Sequence, residues 1–319
     1  MKVVIFDFVR EQIKMKLGIF DLVEPLPELR NPHIITILQP WIDVGSVGTL
    51  TLGTIENQFD SQELGKLARP SNYYDLTRYR PMLYREGGKR IVEPPNSTIN
   101  YAKGPGDVDF LLLHMMEPHN NGEDLVDSLV DLALKLEVKR YCQIGAMYGS
   151  APHTRPLIVS GQSSEELVQE KLFKAGVKSS TYEGPTSILA LVTQELEKNN
   201  IDTMSMMVQL PPYARLDEDH RGQQTLLQFI TDIYDVSFDE LSSIQEEGDR
   251  QYQEIDRMAK IEPRVQSLVK QLEEAYDAER GSQPIDIENE TTGTEEEPTL
   301  SPDVEQFLRE LEKNSDDQP

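Results

Sequence analysis

Four runs of mainly apolar residues predict buried strands. The segments HIITILQ (33–39) and VDFLLLHM (108–115) are nearly continuous apolar runs, the pattern expected of a strand that is covered on both faces. The segments at 140–148 and 202–211 follow the same pattern less purely. We therefore predict that these four segments lie inside the core.

Helical patterns occupy the intervals between these runs, over 122–137, 163–176 and 185–200. In the first, leucines recur every three or four residues, the spacing of one helix face. Strands that alternate with helices imply a mostly parallel sheet covered on both faces, so the predicted fold class is α/β. The segment 79–103 interrupts this alternation. Its three short runs, joined by Gly-Gly and Pro-Pro turns, predict antiparallel strands.

After residue 237 the pattern changes to amphipathic helix on a charged background. Apolar residues from Leu241 to Tyr276 are spaced by three, four or seven positions. Pro263 is expected to end or kink the first helix. We predict a helical hairpin over 238–280 that packs on the α/β domain or on a neighbouring subunit. The acids expected to face solvent are Glu246, Glu247, Glu273 and Glu274.

Both ends of the chain lie outside the predicted α/β domain of residues 18–237. Residues 281–319 are strongly acidic and bury too little apolar surface to offset chain entropy, which predicts a largely disordered tail. One short amphipathic turn, at 302–313, interrupts this tail. Residues 1–17 are predicted to be an extension without the features of a signal peptide. Met15 is an alternative start of the chain.

Charge and cysteine content exclude several classes of function. The 319 residues carry a formal net charge of −25, which opposes binding to nucleic acid or to an anionic membrane surface. No window reaches the roughly 18 apolar residues of a membrane span. The single cysteine, Cys142, excludes an internal disulfide framework. We expect a soluble, cytoplasmic protein that binds neither nucleic acid nor membrane.

The standard catalytic and cofactor motifs are missing from the sequence, including the phosphate loop, HExxH, GxSxG and CxxC. Gly45 and Gly48 lie at a strand–helix turn, where backbone N–H groups can bind an anion or the glycines can simply permit the turn. His114 and His119 flank Glu117, which allows either a divalent metal site or a polar loop. We predict neither a metal ion nor a cofactor.

Polar residues gather in the loops that follow the predicted strands, where parallel sheets place their ligand sites. The segment PHTRP (152–156) holds His153, Thr154 and Arg155 between two prolines. These residues suit either a ligand clamp with acid–base chemistry or a rigid corner before a strand. Arg155 is expected to bind a carboxylate bidentately. Its expected partners are Asp43, Glu117 or Glu183.

Six motifs, taken in order, resemble the proteasome assembly chaperone 2 family. They are QPWIDVGSVG (39–48), YRP (79–81), EP (117–118), PHTRP (152–156), TYEGPTSI (181–188) and PPY (211–213). The resemblance covers roughly residues 18–280. Within the family, the chain resembles the longer bacterial branch. It implies a three-layer α/β sandwich similar to the purine nucleoside phosphorylase core. It also implies a protein partner or self-association, with a homo-oligomer expected.

The motifs and the strand ends together define a predicted cleft. Its residues are Trp41, Asp43, Gly45, Arg80, Glu117, His153, Thr154, Arg155, Tyr182, Glu183, Thr186 and Tyr213. We predict an assembly chaperone or a protein-interaction module. The alternative hypothesis is a small-molecule enzyme that resembles nucleoside phosphorylases or hydrolases. Its acting residues would be Asp43, Glu117, His153, Arg155 and Glu183.

Overall fold

The apolar runs form strands of one large sheet in the computed structural model, which describes residues 14–180 and 182–281. The strands are β1 (Lys14–Leu17), β2 (Phe20–Val23), β3 (His33–Gln39), β4 (Gln62–Leu67), β5 (Met82–Glu86), β6 (Lys89–Glu93), β7 (Thr98–Ala102), β8 (Phe110–Met116), β9 (Arg140–Tyr148), β10 (Ile158–Ser163) and β11 (Asp202–Leu210). The helices are α1 (Val47–Gln58), α2 (Gly122–Lys135), α3 (Glu166–Lys174), α4 (Ile188–Lys198), α5 (His220–Tyr234), α6 (Leu241–Ala259) and α7 (Pro263–Gly281).

Within the described residues, the main sheet has nine strands in the order β1-β2-β4-β7-β8-β3-β9-β11-β10. The four predicted buried runs form its centre, where β8, β3, β9 and β11 pair in parallel. All other neighbours in this sheet pair antiparallel. Parallel pairing is therefore confined to the centre of a mixed sheet. Of the three short runs predicted in 79–103, one joins this sheet as β7, and the other two form a separate β5–β6 hairpin.

Helices cover both faces of the sheet. On one face, α2 and α4 pack through residues such as Leu129 and Val192. On the other face, α1, α3 and α5 pack through Leu52, Leu172 and Leu226. Successive residues of a strand point to opposite faces, so β3 supplies both cores: Ile34 and Leu38 on one side, Ile35 and Ile37 on the other. This double burial explains why the central strands are continuous apolar runs.

Two further helices follow α5 and pack against the α/β domain. Ile244 of α6 belongs to the same apolar cluster as α1, α3 and α5. Gly248 brings α6 so close to α5 that an added Cβ would lie 2.9 Å from the backbone nitrogen of Arg221. Pro263 is the first residue of α7, a position where the missing N–H removes no helical hydrogen bond.

Several features differ from the sequence-based expectations. β1 begins at Lys14 and pairs with β2, so residues 14–17 belong to the sheet rather than to an extension. Glu273 is half-buried rather than solvent-facing, because its carboxylate contacts Arg155. The short strands β2, β4 and β10 and the helix α5 were not predicted. Of the predicted acidic tail at 281–319, Gly281 is the last residue of α7. Residues 1–13 and 282–319 lie outside the described residues.

Candidate functional site

The PHTRP segment connects β9 to β10 at the carboxyl end of the central parallel strands. The backbone N–H of Arg155 donates to the carbonyl of Pro152 (3.2 Å), which closes a turn between the two prolines. Strand β10 begins two residues after the second proline, at Ile158. The segment is therefore a tight turn that precedes a strand. The side chains of His153, Thr154 and Arg155 contact neighbouring elements.

His153 is buried against Tyr213, from the loop after β11. Its backbone N–H donates to the Tyr213 hydroxyl (2.9 Å), and its ring Nδ1 lies 2.7 Å from the same oxygen. Nε2 lies 3.6 Å from Asp256 Oδ1 on α6. Burial lowers the pKa of His153 below its usual value, although Asp256 opposes this shift. When the tyrosine hydroxyl donates to Nδ1, the ring proton occupies Nε2 and faces Asp256.

Arg155 binds two acids of α7, which corrects the predicted partners Asp43, Glu117 and Glu183. Its guanidinium donates from Nε to Asp277 Oδ1 (2.9 Å) and from a terminal nitrogen to Oδ2 (2.7 Å), a bidentate pair. The other terminal nitrogen donates to Glu273 Oε1 (3.1 Å), and Thr154 Oγ1 donates to the same oxygen (2.6 Å). The expected geometry is present, but its partners lie on α7. The PHTRP turn therefore holds the C-terminal helices.

A second contact with α6 was missed by the sequence analysis. Asp219 is fully buried at the start of α5, where its carboxylate accepts from the Gly222 N–H (2.8 Å) and from the Tyr252 hydroxyl (3.1 Å). Arg221 lies 4.1 Å from the centre of the Tyr252 ring and pairs with Asp249 (2.6 Å). Burial raises the pKa of Asp219 above its usual value. Asp219 directly precedes the helical segment HRGQQT, and an acid in that position is an ordinary sequence signal of an N-cap. This signal could have identified the position from the sequence.

Asp43 caps helix α1. Its Oδ1 accepts from the backbone N–H groups of Gly48 (2.7 Å) and Thr49 (3.1 Å), and its Oδ2 accepts from the Thr49 hydroxyl (2.5 Å). A carboxylate at a helix N-terminus satisfies unpaired N–H groups and is favoured by the helix dipole. Each carboxylate oxygen of Asp43 therefore accepts a hydrogen bond from the first turn of α1.

The two glycines of the WIDVGSVG segment serve the turn and the packing around it. Gly45 adopts φ +60°, in the left-handed region, and its carbonyl accepts from the Asp219 N–H (2.8 Å). An added Cβ at Gly45 would lie 2.9 Å from Asp219 Cβ. At Gly48, an added Cβ would lie 2.7 Å from Ile37 Cγ2. These contacts support the interpretation in which the two glycines permit the turn and its close packing.

Glu117 follows β8 and lies near the start of α4. The backbone N–H of Ile188, the first residue of that helix, favours the charged form of this carboxylate. Burial nevertheless raises the pKa of Glu117 above its usual value, and within the described residues Oε2 is buried without a hydrogen-bond partner. Glu117 is thus a half-buried carboxyl near the start of α4.

The remaining predicted cleft residues lie at the surface. Arg80, Glu183 and Thr186 are exposed. Trp41 is 61% exposed and Tyr182 is 68% exposed. Two further apolar side chains, Met147 and Tyr148, are exposed at the end of β9. We call these four residues the carboxyl-end patch: Trp41, Met147, Tyr148 and Tyr182.

The carboxyl-end patch follows the ends of several central strands. Trp41 lies after β3, and the backbone of its neighbour Ile42 accepts from the Ala146 N–H of β9 (2.8 Å). Tyr182 precedes α4, whose first residue influences the pKa of Glu117 after β8. This end of the sheet therefore presents apolar side chains where the sequence had suggested a polar cleft.

The two histidines considered as metal ligands have separate partners. His114 Nε2 lies 2.9 Å from Glu56 Oε1, and His119 Nδ1 accepts from the Asp75 N–H (3.3 Å). Among the described residues, no group of three or more His, Cys, Asp or Glu side chains is arranged to hold a metal ion. Two shallow surface depressions, around Arg140 and around Ser163, include none of the predicted cleft residues.

Across residues 14–180 and 182–281, no helix is both long enough and apolar enough to cross a lipid bilayer.

Replacing Arg155 with lysine is expected to loosen α7, because lysine keeps the charge but lacks the planar fork that binds Asp277. Limited proteolysis of the full chain measures this effect. We expect cleavage within 263–281 to be several-fold faster in Arg155→Lys than in the parent. The matched control is Arg264→Lys, a change at an exposed arginine of the same helix. Equal cleavage of both variants would show that the Arg155 fork does not hold α7.

Comparison with known proteins identifies relatives of this architecture. A family model described as the PAC2 family matches residues 37–259. A PAC2 family protein from Streptomyces avermitilis is similar in structure, with a TM-score of 0.67 and 22% identity over 75% of this chain and 99% of that chain. A proteasome-assembly chaperone homologue from Mycobacterium tuberculosis has a TM-score of 0.66 and 21% identity over 74% and 99% of the two chains.

A more distant neighbour is PbaB of Pyrococcus furiosus, an archaeal proteasome activator. It has a TM-score of 0.57 and 15% identity over 76% of this chain and 98% of that chain. No curated protein was found to match the sequence. At such identities the structural neighbours show a shared fold, and a fold alone does not carry a function.

The family match covers most of the chain, and it includes the elements that build the carboxyl end of the sheet. Residues 37–259 run from β3 through α6 and contain the PHTRP and PPY motifs. The resemblance recognised in the sequence is thereby confirmed: the chain belongs to the PAC2 family.

Proposed function

We propose that this PAC2 family protein is a protein-interaction module of the assembly-chaperone type, and that it binds its partner through the carboxyl-end patch. The observation that carries this proposal is the exposure of Trp41, Tyr182, Met147 and Tyr148. Aromatic and methionine side chains are enriched at protein interfaces, where they bury large apolar areas. An apolar surface at this end of the sheet suits a protein partner better than a small polar substrate.

The polar residues of the enzyme hypothesis have other partners. Asp43 caps α1, Glu117 lies near the start of α4, and Arg155 binds acids of α7. His153 is buried against Tyr213, and Glu183 is exposed. Acid–base chemistry needs its groups within hydrogen-bond reach of one substrate atom. Asp43, His153 and Arg155 instead hold separate helices and turns, so we propose no shared acid–base chemistry for the five residues.

The relatives favour the same class of function. One structural neighbour is described as a proteasome-assembly chaperone homologue and another as an archaeal proteasome activator. Both descriptions concern proteins that act on other proteins. We extend this class to the present chain and propose a protein partner, which includes a second copy of the chain in a homo-oligomer.

Further features complete the proposal. The net charge of −25 repels nucleic acid and anionic lipid, so we propose that neither is a ligand and that the protein acts in the cytoplasm. We also propose that the α/β domain is a three-layer sandwich similar to the purine nucleoside phosphorylase core. We propose that α6 and α7 dock on this domain as one unit. Two contacts support this view: Arg155 of the PHTRP turn binds Asp277 of α7, and Tyr252 of α6 binds Asp219 at the start of α5.

Site-specific photo-cross-linking tests the proposed function. A photoreactive phenylalanine analogue is placed at position 41 in the full chain, which is expressed in cells of its source. We expect a discrete adduct of defined mass at position 41, identified by mass spectrometry as a protein partner or as a second copy. The matched control is position 173, because Phe173 on α3 is also highly exposed (69%) and is not one of the four residues of the carboxyl-end patch.

The comparison of the two positions decides the result. A specific adduct at position 41 that is missing at position 173 supports the carboxyl-end patch as the binding surface. Identical adduct patterns at both positions, or no adduct at position 41, would contradict the proposal. The exposure of both side chains means that neither replacement is expected to disturb the core.

A further inference from the structure

The hairpin formed by β5 and β6 is set apart from the rest of the fold. Its two strands pair only with each other in the described structure, outside the nine-stranded sheet. We call residues 82–93 the arm. Met82 and Val92 are 69% and 63% exposed, and Leu83 and Tyr84 are also exposed. An isolated two-stranded hairpin is marginally stable, so exposed apolar residues on it suggest that something covers them.

The two faces of the arm differ in their charges. Leu83 lies opposite Val92, and Arg85 lies opposite Arg90. Because side chains alternate along a strand, these two pairs share one face, which we call the arginine face. Like charges directly opposite each other destabilise a hairpin. Among the described residues, no carboxylate forms an ion pair with Arg85 or Arg90.

The opposite face of the arm is balanced. Glu86 lies opposite Lys89, a cross-strand pair of unlike charges. The Tyr84 hydroxyl donates to Glu93 Oε2 (3.2 Å). The imbalance is therefore confined to the arginine face, which combines an apolar pair with two adjacent cations. This combination fits a ligand that offers both apolar side chains and carboxylates.

The sequence of the chain contains a segment of that chemistry. The residues after α7, at 282–319, hold twelve acids against Arg309 and Lys313. Within them, PDVEQFLRELEK (302–313) spaces its apolar residues by three or four positions, and acids lie between them. The apolar residues are Val304, Phe307, Leu308 and Leu311. The acids are Asp303, Glu305, Glu310 and Glu312. This segment lies outside the described residues.

The topology brings the arm and the end of α7 to the same end of the sheet. The Tyr79 hydroxyl, just before the arm, donates to the carbonyl of Glu117 after β8 (3.3 Å). Asp277, near the end of α7, binds Arg155 after β9. Only β3 separates β8 from β9, so these strand ends lie about 10 Å apart at the usual strand spacing. About 20 residues link Gly281 to the acidic segment, and a linker of that length can span about 25 Å.

We propose that the arginine face of the arm binds residues 302–313 of the same molecule. Carboxylates of the segment pair with Arg85 and Arg90 and relieve their mutual repulsion. Apolar side chains of the segment cover Leu83 and Val92. This contact is separate from the carboxyl-end patch, and it uses positive charge on an otherwise acidic protein to hold an acidic segment.

Hydrogen exchange of the full chain, read by mass spectrometry, tests this proposal. In the parent at low salt, we expect amides of 302–313 to exchange about tenfold more slowly than those of 286–297. We expect Arg85→Gln with Arg90→Gln to abolish this difference. The matched control, Arg80→Gln with Lys89→Gln, removes two nearby positive charges outside the arginine face and is expected to keep it. Lys89 adjoins Arg90 on the opposite face of β6.

A second pair of changes guards against an effect on the arm itself. Glu310→Gln with Glu312→Gln leaves the arm unchanged, and we expect it to weaken the protection of 302–313 as the arginine changes do. Protection that is independent of protein concentration supports binding within one molecule. Protection that grows with concentration would assign the site to a second copy and overturn the proposal. Fast exchange of 302–313 in the parent, or protection that survives both pairs of changes, would also overturn it.

Discussion

Replacing Tyr252 with alanine is expected to lower the free energy of unfolding by about 3–5 kcal/mol, the usual cost of deleting a buried aromatic ring. Tyr252 lies on α6, is buried, and packs with Ala214 and Ile255. Its ring faces the guanidinium of Arg221 (4.1 Å), and its hydroxyl donates to the buried Asp219 (3.1 Å). The alanine variant loses all of these contacts. Urea unfolding followed by circular dichroism measures the change.

Tyr252→Phe separates the ring from the hydroxyl. This variant keeps the apolar contacts but leaves one oxygen of Asp219 without the donor, which costs about 1–3 kcal/mol. We also expect proteases to cleave α6 earlier in the alanine variant than in the phenylalanine variant, since the ring holds α6 on α5. If Tyr252→Ala unfolds within about 1 kcal/mol of the parent, Tyr252 is not an anchor of α6.

Gly48→Ala and Gly53→Ala are expected to change stability in opposite directions, although both glycines lie in α1. A Cβ at Gly48 would lie 2.7 Å from Ile37 Cγ2 and 3.0 Å from Asp43 Oδ1. Ile37 is fully buried in β3, so the helix has to shift. We expect a loss of about 1–3 kcal/mol, the usual cost of overpacking a core. A shift of α1 would also weaken its cap, because Asp43 accepts from the Gly48 N–H.

Gly53→Ala is the matched control for this prediction. No heavy atom lies within 4 Å of a Cβ added at Gly53, so alanine causes no overpacking there. We expect its higher helix propensity to raise the free energy of unfolding by about 1 kcal/mol. Thermal unfolding of the two variants beside the parent gives the comparison. A stabilising Gly48→Ala would mean that the close approach of α1 to β3 does not restrict this position.

The PHTRP turn explains how a charged, titratable segment can serve the fold instead of a reaction. His153 and Arg155 contact two different helices, α6 and α7, through Asp256 and through Asp277 with Glu273. The turn therefore joins the α/β domain to both helices that follow it. The carboxyl-end patch is exposed, and it is the surface that we propose for a protein partner.

The local pattern predicted the centre of the fold well. The apolar run at 33–39 became β3, the strand buried on both faces, and the leucines of 122–137 became the buried face of α2. These segments are predictable because burial on two faces, or on one helical face, selects residue types at a fixed spacing. The short strands β2 and β10 were missed, since they mix polar and apolar residues and lie near the edges of the sheet.

The candidate site was predictable in part. The segment PHTRP was selected because a histidine and an arginine between prolines are unusual, and its arginine does bind carboxylates bidentately. The partners were misassigned because Asp277 lies 122 positions away in the sequence. Asp43 was selected as a candidate acid, and its role as a cap was missed because Gly48 and Thr49 lie five and six positions away, not the two or three of an ordinary N-cap.

By itself, the sequence determined the α/β class, the central strands, the family and the residues that form the carboxyl end of the sheet. Local spacing is enough for these features, because each depends on which side chains share a face or a motif. Only the tertiary structure decided that Arg155 binds α7, that Asp43 caps α1 and that the arm stands apart from the sheet. The partner of a charged side chain depends on which elements pack beside it, and that packing reflects the whole chain at once.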